Sequence, residues 1–446
     1  MAGPSPFHAY DIRGVYGENL DEALMEKIGR AVVVHLKASV VLVGHDMRTS
    51  STPLEAALIK GITEQGADVI KMGLCSTPMF YWAAQKHRAS VMVTASHNPA
   101  KYNGAKICKN GAVPVGEISG LKEIEALVQK NEFPASERTG EVTNKEVLDA
   151  FIDFNLQFLH TDKQFTVVID AANGMGGYTY EALIKKLPKS ITIIPMFFEL
   201  DGNFPNHEAN PLKRETLTQL KERVLQEKAD LGVSLDGDGD RLVFVDEKGE
   251  DIPSDITTAL IAEQVLSEKP GATILYDIRQ SRVAPEEITK AGGKAVMSRV
   301  GHAFIKLQMK EQEAAFAGEL SGHFYNIEQQ DTENTQLVFF RMLNLIAQEG
   351  KPLSEIAGPL VNRYAKIEET NFQVEDKAGM IAQLKETYGQ DATAVSEVDG
   401  IRLDFADWWF NVRMSNTEPL LRLNMEANTK ELLDEKVKEL TAIITA

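Results

Sequence analysis

The residues most able to do chemistry lie on four short turns. Val91-Met92-Val93-Thr94-Ala95-Ser96-His97-Asn98-Pro99 runs from an apolar strand into a tight polar turn. A serine presented at a strand end is expected to be exposed and rigidly held. With a cation such as Lys106 nearby it could lose a proton and accept a phosphoryl group. The plainer alternative is that Ser96 only caps a turn or helix.

Asp236-Gly237-Asp238-Gly239-Asp240-Arg241 follows the apolar run Leu231-Gly232-Val233-Ser234-Leu235. Alternating carboxylates, with glycines permitting tight curvature, make a cage of hard oxygens for one Mg2+ per chain. A solvated acidic turn is the alternative, but carboxylates so crowded repel each other unless a cation is present. A calcium loop of the EF-hand kind fails, because its sixth position should be glycine and is Arg241.

Gly318-Glu319-Leu320-Ser321-Gly322-His323 places a carboxylate, a hydroxyl and an imidazole on one turn. These suit sugar hydroxyls, and His323 could carry protons; a plain turn is the alternative. Arg413-Met414-Ser415-Asn416-Thr417-Glu418-Pro419 precedes Leu420-Leu421-Arg422. Its arginines, hydroxyls and amides would cradle a phosphate, unless they are only exposed arginines at a hairpin.

Elements that could position these turns recur along the chain. β-Branched runs at 40–43, 167–169 and 273–276 each end in a polar turn and lead into a helical stretch. Each lies upstream of a second apolar strand, and these end at the serine, aspartate and 318–323 loops. Strands alternating with helices imply βαβ units, with ligands at the carboxyl ends of strands. The spacing therefore predicts three similar mixed-sheet α/β domains converging on one site. The remainder, with strands at 401–405, 408–413 and 420–424 and a helix over 431–444, predicts a smaller α+β domain. The expected divisions are 1–140, 141–248, 249–355 and 356–446. Turn-rich segments at 133–136 and 246–249 mark two of them.

Composition narrows the function. The 446 residues carry 47 Lys and Arg against 65 Asp and Glu, a formal net charge of -18. Nucleic acid and anionic membranes are poor partners for such a chain. No apolar run approaches the ~20 residues that span a bilayer, and no leader pattern opens the chain. Two cysteines, Cys75 and Cys108, do not make a disulfide framework and fit a reducing cytoplasm.

Taken together, the four motifs resemble the α-D-phosphohexomutase superfamily, in its phosphomannomutase/phosphoglucomutase branch. The Thr-Ala-Ser-His-Asn-Pro, Asp-Gly-Asp-Gly-Asp-Arg, Gly-Glu-x-Ser-Gly-His and Arg-x-Ser-Asn-Thr-Glu-Pro strings stand in the family's order. Tyr10-Asp11-Ile12-Arg13-Gly14 and Gly301-His302-Ala303-Phe304-Ile305-Lys306 also match. One departure is Ser298-Arg299-Val300 before Gly301, where the branch carries Lys-Thr.

The resemblance implies four domains around a cleft and a mutase acting on a small phosphosugar. It implies that Ser96 becomes phosphoserine and, with Asp236, Asp238 and Asp240, meets Mg2+. Arg241 would contact the phosphoserine, and Arg13, Lys106 and His323 would orient groups or move protons. Glu319, Ser321 and His302 would hold the sugar. Arg413, Ser415, Asn416, Thr417 and Arg422 would hold the phosphate that is not transferred. A hexose 1,6-bisphosphate would be the intermediate and activator. The implied assembly is a monomer or weak dimer. Rival readings are a phosphoglucosamine mutase of the same superfamily, a phosphosugar-binding protein, and a haloacid dehalogenase-type phosphotransfer protein with Asp236 as nucleophile.

Overall fold

The computed structural model describes residues 5–415 and 420–445. The chain forms two compact units, Met1–Ile252 with Ser321–Ser354 and Pro253–Leu320 with Glu355–Ala446.

In the first unit, strand Val40–His45 lies parallel between Asp68–Leu74 and Ala89–Val93. Tyr102–Lys109 then closes antiparallel on Ala89–Val93. The β-branched run is long because these strands are buried on both faces; Val41, Leu42 and Val43 are inaccessible to solvent. Helix Glu22–Leu36 starts where the Asp21 side chain accepts the Leu24 N–H, and it ends at Lys37 in the left-handed conformation. Its Met25, Ile28 and Val32 pack with Leu54, Leu58 and Ile62 of helix Ser51–Glu64.

The same plan recurs in the second sheet. Phe165–Asp170 is parallel to both Ile191–Met196 and Leu231–Leu235, and Leu242–Asp246 returns antiparallel on Leu231–Leu235. In the second unit Thr273–Asp277 is parallel to Lys294–Ser298 and Phe316–Gly318. Three parallel trios thus repeat, as the recurring strand-turn pattern predicted. The C-terminal part is antiparallel instead. Ile401–Asp404, Trp408–Met414 and Leu421–Ala427 pair in sequence, and Lys377–Tyr388 and Lys430–Ile444 supply Leu384, Leu433 and Leu440 to its core. The fold is three mixed-sheet α/β domains and a smaller α+β domain.

Two expected divisions shift. Val142–Asn144 pairs with Asp68–Leu74 and so belongs with the first sheet, although its exposed, unpatterned side chains hid it. The 246–249 turn is a hairpin within the second sheet, because Asp251–Ile252 pairs back on Leu242–Asp246. Among the described residues, no helix is long and apolar enough to cross a membrane.

Candidate active site

In the first unit, strands Val40–His45 and Ala89–Val93 finish side by side, with His45 opposite Val93. The turns that follow them leave the same edge of the sheet, the position at which parallel sheets bind ligands. Ser96 stands there with φ +49°, left-handed backbone that a non-glycine residue keeps only when its surroundings hold it. Its N–H donates to Thr94 Oγ1 at 3.0 Å and its Oγ donates to Asp236 Oδ2 at 2.9 Å.

The expectation that Ser96 is exposed is corrected: it is 2% exposed. The aspartate loop lies directly against it. A Cβ on Gly237 would stand 2.5 Å from the Ser96 carbonyl oxygen, so only glycine permits this approach. Gly239, at φ +75°, turns the loop again. The loop wraps around one carboxylate, since Asp236 Oδ1 accepts the N–H groups of Asp240 at 3.0 Å and Arg241 at 3.1 Å.

Asp236, Asp238 and Asp240 are buried and each offers an oxygen within 4.8 Å of the others. Asp238 Oδ1 is buried without a hydrogen-bond partner. Three hard oxygen donors at this spacing, one of them unsatisfied, fit a small divalent cation. Asp238 Oδ2 accepts from Thr77 Oγ1 at 2.6 Å and from Lys106 Nζ at 2.8 Å, and Lys106 Nζ also reaches Asp240 Oδ2 at 2.5 Å.

The charges push these groups apart. Burial, then Asp240 and Asp238, raise Asp236 well above the usual carboxylate range. Burial would also raise Asp240, but Lys106, His323 and Arg241 outweigh it and hold Asp240 well below that range. Burial disfavours a charged Lys106, yet Asp238 and Asp240 prevail and keep its ammonium protonated above the ordinary lysine value. Burial, then Arg241 and Arg13, press His97 well below the usual histidine range, so it stays neutral 3.3 Å from Ser96 Oγ.

Further predicted residues join this cluster. His323 Nε2 lies 3.2 Å from Asp240 Oδ1 and 3.3 Å from Arg241 Nε, and Ser321 Oγ lies 2.9 Å from His323 Nδ1. Arg13 pairs with Asp11 at 2.9 Å and donates to the Ala95 carbonyl at 3.3 Å and to the Asn98 side chain.

The second unit holds the remaining described ones. Glu319 Oε1 accepts the Gly301 N–H at 3.0 Å, just before His302 opens helix His302–Gln312. Arg413 and Arg422 face each other across paired strands. Like charges so placed repel, and Glu369 bridges them at 3.0 Å each while accepting from Asn424 at 3.1 Å. Arg279 comes within 3.9 Å of both Glu369 and Glu319. The Ser415 N–H donates to the Leu420 carbonyl at 2.9 Å. Asn416 and Thr417 lie outside the described residues. At the departure from the family pattern, Arg299 stacks on Phe304 at 3.6 Å and the Val300 N–H donates to Asp399 at 3.0 Å.

Sequence reasoning missed Thr77, His97 as a neutral neighbour of the serine, Arg48, Arg279 and Glu369. Arg279 stood in a turn already marked by its strand, and His97 in the serine motif itself. Thr77 and Glu369 carry no local signal, because their partners are distant in sequence.

The chain matches the family models described as phosphoglucomutase/phosphomannomutase alpha/beta/alpha domains I, II and III over residues 5–135, 146–249 and 253–364, and the C-terminal domain over 369–443. It is 38% identical over 447 residues to a phosphomannomutase of Methanocaldococcus jannaschii, covering 98% of this chain and 97% of the relative. It is 34% identical over 443 residues to phosphohexose mutases of Xanthomonas campestris pv. campestris, covering 98% of each. A solved phosphoglucomutase/phosphomannomutase family protein from Burkholderia thailandensis superposes with TM-score 0.91 at 30% identity, covering 99% of this chain and 97% of that one. An Aspergillus fumigatus N-acetylphosphoglucosamine mutase, solved with GlcNAc-6P and magnesium, shares the fold at TM-score 0.63 and 14% identity, covering 99% and 96%.

Proposed function

We propose, from the premise that this chain belongs to the phosphoglucomutase/phosphomannomutase family, that its phosphoryl carrier is Ser96. The enzyme is a phosphohexose mutase, an intramolecular phosphotransferase acting on a small phosphosugar. Family membership favours this over the binding-protein and haloacid dehalogenase-type readings. The observation that carries the serine assignment is the hydrogen bond from Ser96 Oγ to Asp236, which joins the candidate nucleophile to the candidate metal cage.

In the first half-reaction a hydroxyl of the hexose monophosphate attacks the phosphorus of phospho-Ser96. The new sugar O–P bond forms as the P–Oγ bond breaks, and the hydroxyl proton passes to a base. The product, a hexose 1,6-bisphosphate, turns over so that its other phosphate faces Ser96. Ser96 Oγ then takes that phosphoryl group, and the departing sugar oxygen regains a proton. Neutral His97 is suited to accept a proton, and the imidazole of His323, 3.2 Å from Asp240, could carry one. Lys106, held protonated by Asp238 and Asp240, serves by its charge and by orienting groups beside the serine. Arg241 and Arg13 offset the phosphoserine, which carries ~-1.5 to -2 charges.

Asp236, Asp238, Asp240 and Ser96 would hold Mg2+, the ion present in the fold-mate solved with magnesium. Bound there, it would neutralise charge on the phosphoryl oxygens in transfer. Glu319, Ser321 and His302 would grip the sugar, and Arg413, Ser415, Asn416, Thr417 and Arg422 its distal phosphate. Both cysteines are buried thiols outside any disulfide, which suits a cytoplasmic enzyme, and we take it as a monomer or weak dimer.

A coupled mutase assay with glucose, mannose and glucosamine 1-phosphates, joined to peptide mapping of the phosphorylated chain, tests the reading. Phosphate should be found on Ser96. Phosphate on Asp236 instead would make the aspartate the nucleophile.

A further inference from the structure

Something must hold Ser96 in its left-handed backbone. Thr94 takes its N–H, but the carbonyl sides of the turn also need partners, because a loop this deep cannot leave them to water. One side chain provides them. Arg48 Nη2 donates to the Ser96 carbonyl at 2.8 Å and the Asn98 carbonyl at 2.6 Å. Arg48 Nη1 donates to the carbonyls of Pro99 at 3.0 Å and Tyr102 at 3.1 Å. Every Nη hydrogen is thus spent on the loop that carries the serine.

Arg48 is itself fixed. It is 2% exposed. Its N–H donates to Asp46 Oδ1 at 3.0 Å, its Nε lies 3.2 Å from Asp46 Oδ2, and the Phe204 ring covers its guanidinium at 5.1 Å. Asp46 is inaccessible to solvent and its own N–H donates to the Val93 carbonyl at 3.0 Å. Asp46 and Arg48 therefore form a rigid strut between the ends of two neighbouring parallel strands. A guanidinium buried this completely is costly unless its charge and donors are met; here the serine loop takes all four Nη hydrogens and the Asp46 carboxylate offsets the charge.

We propose that Arg48 is the positioning residue of the catalytic serine: by tying the carbonyls of Ser96, Asn98, Pro99 and Tyr102 to one planar fork, it holds the strained turn that aims Ser96 Oγ at Asp236. The inference rests on the reading of Ser96 as phosphoryl carrier. The Nη donors of Arg48 are spent on loop carbonyls rather than left to meet a ligand, so its removal should spoil alignment rather than binding. Lysine cannot replace it, because a single ammonium with three hydrogens cannot span four carbonyls.

The test compares the wild type with Arg48→Lys, Asp46→Asn and Ser96→Ala. Turnover of glucose 1-phosphate is normalised to the fraction of chains whose Ser96 accepts phosphate, read by intact mass. Misplacement of a reacting group by about 1 Å can cost roughly a hundredfold in rate. Arg48→Lys should therefore lose roughly a hundredfold in kcat per phosphorylatable chain, with KM moved by less than about threefold. Asp46→Asn, which keeps an acceptor for the Arg48 N–H but loosens the fork, should lose less in the same direction. A merely structural Arg48 would lower Tm and the competent fraction while leaving the normalised kcat unchanged, and that result overturns the inference. Should Arg48→Lys not fold, Asp46→Asn decides, and an unchanged normalised kcat there overturns it equally. Activity lost in Ser96→Ala but kept in Arg48→Lys refutes Arg48 alone. Activity kept in Ser96→Ala removes the serine reading and this inference with it.

Discussion

Ser96 donates its hydroxyl to Asp236 across 2.9 Å, although 140 residues separate them in the chain. The oxygen that receives this proton belongs to the candidate metal cage. A cation at Asp236 would compete with the serine proton for the same carboxylate, which favours the phosphorylated or ionised serine over the alcohol. The candidate nucleophile and the candidate metal loop are therefore one electrostatic unit, and substitutions in either should be read together.

Asp238→Asn leaves the Ser96–Asp236 bond intact and so isolates the cage. A unit charge at ~4 Å is worth ~4 kcal/mol at an effective dielectric of ~20, so Mg2+ affinity should fall by more than about tenfold, with kcat falling at fixed Mg2+. Titration calorimetry with Mg2+ measures the first effect without reference to activity. Equal affinity in the variant would show that Asp238 serves Lys106 and Thr77 rather than a metal.

Arg422→Ala should weaken substrate binding while Ser96 remains phosphorylatable. A charge-assisted hydrogen bond is worth ~1.5–3 kcal/mol, which corresponds to a rise in KM of about 10- to 150-fold. Steady-state kinetics with intact mass on the same preparation give both readouts. An unchanged KM would remove Arg422 from the phosphate clamp.

Glu369 gives the second unit an acid-sensitive joint. Burial would raise its carboxyl, but Arg279, Arg413 and Arg422 lower it from 4.5 to about 2. A folded-state value below the unfolded one stabilises the fold above pH 4.5, and that stability is lost as the pH falls toward 2. The contribution is on the order of 3 kcal/mol. Urea midpoints between pH 3 and 6 should drop steeply with acid in the wild type and less in Glu369→Gln. Parallel curves for the two proteins would show that Glu369 is not the titrating group.

Substrate range follows from which hydroxyl the site reads. The family resemblance implies that Glu319 and Ser321 hold the C3 and C4 hydroxyls; turning the bisphosphate over would roughly exchange those two, so one pair could serve both half-reactions. Mannose and glucose differ at C2, and a site discriminates strongly only at a hydroxyl it bonds. Their 1-phosphates should have similar kcat/KM, and glucosamine 1-phosphate should be poorer. A preference of ~100-fold, or ~2.7 kcal/mol, between the epimers would show that a residue reads C2, with Arg299 the first to examine.

The sequence alone determined the parts whose physics is local. Buried parallel strands need continuous β-branched runs, and the chain shows them at 40–43, 167–169 and 273–276, each ending in a polar turn. The aspartate loop declares its chemistry by spacing, because alternate carboxylates on a glycine-bent turn must converge on something positive. The tertiary structure decided what depends on partners far along the chain. Ser96 reads as an exposed loop residue, yet it is buried because the glycine of a loop 140 residues on closes against it. Arg48 and Glu369 look like ordinary surface charges in the sequence. Only the fold brings four loop carbonyls to one guanidinium, and one carboxylate between two facing arginines. The charge of a side chain is written in its own residue type, but whether that charge is buried, paired or spent on holding another residue is set by which strands end beside each other.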